Sequence, residues 1–164
     1  TEETYMEVIR GKTAMLFEAS THSAAALCEA TAEQAEALRT FGDHLGVAFQ
    51  LVDDLLDYRG DAETLGKNVG DDLAEGKPTL PLIYTMREGT PEQAALVRKA
   101  IQKGGIEDLE SIRAAVEASG SLDYTAQLAR DYVARAIKCL DALPASEYRD
   151  ALVELSEFAV ARTH

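Results

Sequence analysis

The stretch FGDHLGVAFQLVDDLLDY, residues 41–58, has the pattern of a long amphipathic helix. Apolar residues recur along it, and just before it, at steps of three and four, which is the spacing of one helix face. The residues of this apolar stripe are Leu38, Phe41, Leu45, Ala48, Phe49, Val52, Leu55 and Leu56. The stripe predicts a helix that packs against a hydrophobic core.

A second face of the same helix lies beside the stripe. Its members are Gly42, Gly46, Gln50, Asp53 and Asp57. They fall within about 80° of one another at about 100° per residue, and Asp54 lies at the outer edge. The glycines leave room for something to approach the helix, and the carboxylates form a cation-binding end.

Two interpretations of these acids stay open on this helix alone. In the first, a solvent-facing helix simply displays three carboxylates. In the second, Asp53 and Asp57 lie one turn apart and share a divalent ion, which relieves the repulsion between like charges at that spacing. Oxygen ligands favour Mg²⁺ over Zn²⁺, and Mg²⁺ usually completes its shell with water and substrate phosphates.

The rest of the chain also has helical periodicity, and the sequence has no alternating strand pattern. The predicted helices cover approximately residues 3–29, 31–59, 79–87, 90–103, 106–119, 121–143 and 146–162. Thr31 and Gln34 have the spacing of a capping box, and Thr90 precedes Pro91 at a second helix start. The segment from Gly60 to Lys77 is predicted to be the one long loop. We therefore expect an all-α fold without an internal domain boundary.

Composition excludes several classes of protein. Acidic residues outnumber basic ones 29 to 16 in 164 residues, and a net charge of −13 disfavours binding to nucleic acid. The sequence contains no run of about 18 apolar residues, so no membrane span is predicted. The first residues lack the positive charge and apolar stretch of a signal peptide. The first residue is not Met, which suggests a start inside a longer protein. Cys28 and Cys139 form no CxxC motif and are predicted to be reduced, buried cysteines of a cytoplasmic protein.

Three lysines are candidates to neutralise a phosphate. Lys67 and Lys77 lie in the predicted glycine-rich loop, and Lys12 precedes Thr13 beside Gly11 in the first helix. Each lysine on its own is better explained as a solvated surface charge.

Taken together, four segments resemble the trans-isoprenyl (polyprenyl) diphosphate synthases. They are Gly11–Thr13, Phe49–Asp57, Gly66–Lys67 and Asp72–Pro81. The pattern Phe-Gln-x-x-Asp-Asp-x-x-Asp is similar to the second aspartate-rich motif of that family. The whole chain, residues 1–164, resembles the C-terminal half, because the first aspartate-rich motif and the diphosphate-binding arginines of the family precede the matched part. The resemblance implies a partial all-α bundle of the isoprenoid synthase type.

The resemblance also implies a function. It is the Mg²⁺-dependent head-to-tail condensation of isopentenyl diphosphate with an allylic diphosphate, which makes a long-chain all-trans polyprenyl diphosphate. By motif, Asp53 is implied to be the direct Mg²⁺ ligand, and Asp54 and Asp57 bind directly or through water. Lys12, Lys67 and Lys77 are implied to bind the leaving diphosphate, and Thr13 and Gln50 to line the pocket where positive charge develops. The implied partners are the missing N-terminal half and a second copy in a homodimer, and the 164-residue chain alone is expected to be inactive.

Three alternatives stay open. A class I terpene cyclase shares the ionisation step, but its second metal motif usually contains Asn, Ser and Glu. A non-catalytic subunit of a heteromeric prenyl synthase tends to have a degraded acidic motif, whereas Asp53, Asp54 and Asp57 are all present here. An acidic helical interaction module would bind no diphosphate in a Mg²⁺-dependent way.

Overall fold

The structure, a computed structural model, describes residues 1–59, 70–103 and 108–161, and within these ranges it contains helices and no strands. The α-helices are α1 (Glu2–Ile9), α2 (Met15–Leu27), α3 (Ala32–Arg59), α4 (Asp71–Ala74), α5 (Leu80–Glu88), α6 (Pro91–Lys103), α7 (Leu109–Ala118), α8 (Ser121–Cys139) and α9 (Glu147–Ala161). A π-helical turn spans Arg10–Ala14, and a 3₁₀ turn spans Leu140–Ala142. The predicted all-α class is confirmed.

Two helices begin with the predicted capping residues. Before α3, the Thr31 amide donates to Gln34 Oε1 at 3.1 Å, and the Gln34 amide donates to Thr31 Oγ1 at 3.2 Å. Thr90 and Gln93 make the same reciprocal pair at the start of α6, at 2.8 and 3.3 Å. Each box satisfies two amides that the helix itself leaves without acceptors.

The structure departs from the predicted elements in two places. The single helix predicted over residues 3–29 is divided by the π-turn Arg10–Ala14, which contains Gly11. The predicted loop contains the short helix α4, which follows Gly70 in the left-handed region with φ +87°. Residues 60–69 of that loop lie outside the described ranges.

The chain divides into two compact units, and α1, α3 and α8 each contribute residues to both. The first unit comprises residues 1–5 and 53–126. Its core is formed by Tyr58, Leu73, Leu82, Val97, Ala100, Ile112 and Val116. The second unit comprises residues 6–52 and, of the described chain, 127–161. Its core contains Phe41, Leu45, Ala136 and Leu140.

The stripe of α3 is largely buried, with one clear exception. Phe41, Leu45, Ala48, Val52 and Leu55 are buried, whereas the Phe49 side chain is 37% exposed. Val47 and Leu51, which the stripe leaves out, are fully buried. The buried surface of α3 is therefore wider than one periodic face, and the expectation that Phe49 faces the core was wrong.

The glycines of α3 serve close helix packing within the second unit. A Cβ atom added to Gly42 would lie 2.6 Å from the Phe17 carbonyl oxygen, and one added to Gly46 would lie 2.5 Å from Ala14 Cα. The space beside these glycines is thus filled by the backbone of α2 and the π-turn.

The predictions for the two cysteines and for a membrane span can be compared with the described residues. Neither Cys28 nor Cys139 forms a disulfide among the described residues, but Cys28 is exposed at the end of α2, so its predicted burial was wrong. None of the described helices combines the length and apolar character that crossing a membrane requires.

Gly46→Ala should destabilise the fold by about 1–3 kcal/mol, because the new methyl group meets backbone, which cannot rotate away. Gly11→Ala is the matched control, since nothing lies within 4 Å of the added Cβ and alanine favours helix. Urea unfolding followed by circular dichroism measures both. A Gly46→Ala midpoint equal to or above that of the control would contradict the packing argument.

Candidate active site

The three predicted metal ligands lie in the last turns of α3, within the first unit. Asp54 is only 1% exposed, whereas Asp53 and Asp57 are partly exposed. Side chains one residue apart on a helix point in directions about 100° apart, so these carboxylates meet different neighbours.

Asp54 is anchored by a tyrosine of α1. The Tyr5 hydroxyl, itself buried, donates a 2.5 Å hydrogen bond to the Asp54 carboxylate. Burial raises the pKa of Tyr5, and the negative charges of Asp54, Asp72 and Asp53 raise it further. The hydroxyl therefore keeps its proton and acts as a permanent donor. No pattern in the sequence predicts this role, because Tyr5 fits the apolar periodicity of the first helix.

Asp57, on α3, is hydrogen-bonded to the start of α4 through one carboxylate oxygen, and its other oxygen receives no hydrogen bond from the described chain. Its Oδ1 accepts a hydrogen bond from the Asp71 amide at 3.1 Å, and its carbonyl oxygen accepts one from the Gly70 amide at 3.0 Å. Its Oδ2 is buried and receives no hydrogen bond within the described chain. Burial first, and the charge of Asp72 second, raise the pKa of Asp57 to about 6. A nearby cation would relieve both effects.

The donor set fits a hard divalent ion that brings its own water or phosphate oxygens. Across residues 1–59, 70–103 and 108–161, no three His, Cys, Asp or Glu side chains form a metal-binding cluster by themselves. Mg²⁺ is commonly held by one or two carboxylates, with the remaining positions taken by water and substrate phosphates. Carboxylates that do not close a cage are compatible with that mode of binding.

Lys77 pairs with an acid of α4 and with the acid that follows this helix. Its ammonium group is 3.2 Å from Asp72 Oδ1 and also pairs with Glu75, and these contacts raise the pKa of Lys77. The Lys77 side chain is 46% exposed, so its ammonium remains accessible. Asp72, which lies in the predicted loop, therefore pairs with Lys77 and also raises the pKa of Asp57 through its charge. The other predicted loop lysine, Lys67, lies outside the described residues.

The second unit brings together two of the other predicted residues. Thr13, in the π-turn, donates from Oγ1 to Gln50 Oε1 on α3 at 2.9 Å. Gln50 is 7% exposed, and Lys12, beside Thr13, is exposed. The turn is of the π type because the Met15 amide reaches back five residues to the Arg10 carbonyl. Such turns occur frequently at functional sites.

Comparison with known proteins gives consistent matches along the whole chain. Residues 1–119 match the family described as polyprenyl synthetase. The chain is 52% identical over 163 residues to octaprenyl diphosphate synthase of Escherichia coli K12, covering 99% of this chain and 50% of that protein. It is 48% identical over 164 residues to octaprenyl diphosphate synthase of Haemophilus influenzae, with the same coverage.

Solved structures give the same result for the fold. A polyprenyl synthase from Caulobacter crescentus CB15, crystallised with calcium and isoprenyl diphosphate, superposes with a TM-score of 0.93 at 43% identity. The match covers 100% of this chain and 51% of that one. The chain thus spans about half the length of the curated relatives it matches.

Proposed function

Because the chain belongs to the polyprenyl synthetase family, we propose that it forms the part of a prenyltransferase that carries the second aspartate-rich motif. The observation that carries the proposal is the intact motif Asp53-Asp54-x-x-Asp57, in which one buried oxygen of Asp57 receives no hydrogen bond from the described chain. By similarity to the octaprenyl diphosphate synthases, the proposed product is octaprenyl diphosphate. Its use as a quinone side chain is part of the same proposal.

The proposed reaction joins isopentenyl diphosphate to an allylic diphosphate. The allylic carbon–oxygen bond breaks and diphosphate leaves. The double bond of isopentenyl diphosphate attacks the allylic carbon, a carbon–carbon bond forms, and a proton is lost to complete the new double bond. Mg²⁺, when bound, neutralises the charge that develops on the leaving diphosphate.

The acidic residues have distinct proposed roles in holding that ion. Asp53, which is partly exposed, is the proposed direct ligand. Asp57 would contribute its unpaired oxygen directly or through water. Asp54, which is buried against Tyr5, would act at most through water while it orders the helix end.

The cationic and polar residues act on the two charges that separate during ionisation. Lys12, Lys67 and Lys77 are proposed to bind the departing diphosphate. Thr13 and Gln50 offer oxygen atoms to the developing positive charge, and their mutual hydrogen bond fixes both side chains. Because Gln50 is almost fully buried, its dipole is less screened than it would be in water.

A prenyl-transfer assay tests the proposed function. The complete protein is incubated with farnesyl diphosphate, radiolabelled isopentenyl diphosphate and Mg²⁺, and the products are separated by chain length. We expect labelled long-chain product that disappears with a chelator. Cyclic product formed without isopentenyl diphosphate would favour a terpene cyclase, and activity only with a second, different chain would favour a heteromeric subunit. The homodimer and the cytoplasmic location stay predictions.

Lys77→Ala should lower kcat/KM for condensation by about tenfold, because a charge aimed at the departing diphosphate is lost. Lys99→Ala is the matched control, since Lys99 also pairs with an acid, Asp108, on the surface of the same unit. Steady-state kinetics with both substrates varied measures the effect. Equal losses in the two variants would remove Lys77 from the diphosphate site.

A further inference from the structure

We propose that Arg10 and Tyr132 form a clamp that keeps residues 10–14 in the π conformation and so positions Lys12 and Thr13. Arg10 and Tyr132 are positioning residues, since they act on the reaction only through the conformation of this turn. The inference rests on the proposed function for its catalytic consequence, but the conformational part can be measured without it.

Arg10 holds the turn through both its backbone and its side chain. Its carbonyl oxygen accepts the hydrogen bond from the Met15 amide that defines the turn. Its guanidinium Nη2 donates to the Tyr132 hydroxyl of α8 at 3.0 Å, and its Nε lies 3.6 Å from Asp43 Oδ1 on α3. Tyr132 is 6% exposed, so the acceptor is fixed by its own packing. One residue therefore joins the first position of the turn to two neighbouring helices.

The opposite end of the turn is fixed by close backbone contact. Ala14 is fully buried and packs where a Cβ atom on Gly46 would otherwise lie. Lys12 and Thr13 lie between these two fixed ends. Thr13 reaches Gln50 from there, so the contact between two proposed catalytic residues depends on the conformation of this turn.

The π conformation needs such support because it is rarer than α-helix and is found mostly as single turns. In an α-helical turn, each amide would donate to the carbonyl oxygen four residues earlier rather than five. Conversion would rotate the residues on one side of the turn by about 100° relative to the other. Thr13 would then no longer reach Gln50, and the neighbouring Lys12 would change direction with it.

The structure supplies a matched control on the same tyrosine. The Arg135 guanidinium lies 4.9 Å from the centre of the Tyr132 ring, but its residue is on α8 and outside the turn. Tyr132→Phe keeps the ring and this contact, and removes only the hydroxyl that Arg10 uses. Arg10→Met removes the donor and keeps most of the apolar stem, whereas Arg10→Lys retains a donor.

The first measurement is hydrogen–deuterium exchange of the complete protein, read on peptides within residues 6–20. We expect exchange in Tyr132→Phe and Arg10→Met to rise about tenfold, because the amide bonded across the turn opens more often. Arg135→Met should leave it unchanged, and Arg10→Lys should restore part of the protection. Unchanged exchange in Tyr132→Phe would overturn the clamp whether or not the protein is a prenyltransferase.

The second measurement is steady-state kinetics on variants whose thermal midpoints stay within a few degrees of wild type. Lys12 and Thr13 are proposed to act on charge that develops during ionisation, so kcat should fall about tenfold in Tyr132→Phe with KM nearly unchanged. Combined with Thr13→Val, the loss should be smaller than the product of the two single losses. Independent losses, or an equal loss in Arg135→Met, would show that the clamp is only structural.

Discussion

Asp53→Ala in the complete protein should lower kcat by about a thousandfold, far more than Asp54→Ala or Asp57→Ala. The ordering follows from the surroundings of the three carboxylates. Asp54 is 1% exposed and bonded to Tyr5, and Asp57 gives one oxygen to the Asp71 amide. Asp53 is partly exposed on the face shared with Gln50 and Asp57. Asp53→Asn should lower kcat as much as Asp53→Ala does, because the amide lacks the negative charge that neutralises the ion.

The comparison requires that folding and catalysis be separated. Asp54→Ala leaves the buried Tyr5 hydroxyl without its acceptor, which should cost about 1–3 kcal/mol of stability. Asp54→Ala combined with Tyr5→Phe removes both partners and should recover part of that loss. Denaturant unfolding gives the stabilities, and kinetics on the folded fraction gives kcat. The same kcat in all three single variants would refute the ordering.

The 164-residue chain alone should not condense isoprenyl diphosphates. The acids described here can approach an ion from one side only, whereas the family resemblance implies a second, facing aspartate cluster. Without it, water enters the site, and the attraction between charges falls several-fold as the surroundings become more polar. Several apolar side chains of the second unit are also exposed. They include Val8, Met15, Leu16, Leu27, Leu155 and Phe158.

Complementation tests this expectation directly. Purified chain is assayed with farnesyl diphosphate, radiolabelled isopentenyl diphosphate and Mg²⁺, alone and with the N-terminal half that the relatives possess. We expect product only in the mixture. Exposed apolar surface also predicts self-association of the chain alone, visible by light scattering, and its reduction by the added half. Robust elongation by the chain alone would overturn the two-cluster interpretation and most of the proposed residue roles.

Local signals in the sequence predicted the helices well. The box Thr31/Gln34 depends on residues three apart and forms as expected, and Thr90 caps its helix as predicted, with Gln93 as a reciprocal partner that was not predicted. The proximity of Thr13 and Gln50 was implied only by family resemblance, since 37 positions separate them in the chain.

Features that depend on contacts between distant residues escaped prediction. Tyr5 fits the apolar periodicity of the first helix, and its hydrogen bond to Asp54 forms only because α1 packs against the end of α3. The π-turn was not predicted, because it depends on Ala14 meeting Gly46 and on Arg10 meeting Tyr132. Gly42 and Gly46 were compatible with a ligand cleft or with helix packing, and only the neighbouring backbone decides between them.

The π-turn makes the length of this segment as important as its composition. Ile9 and Ala14 are both buried although they lie five positions apart, which is more than one turn of α-helix. Ala14 and Ala25 are eleven residues apart, which is close to three regular α-helical turns. The additional residue of the π-turn thus allows the buried side chains of Ile9 on α1 and Ala25 on α2 to face the same core. Deleting any one residue from 10–14 would leave a regular helix with good local propensity, yet one of these two side chains would turn towards solvent. Evolution can therefore exchange side chains here far more easily than it can add or remove a residue.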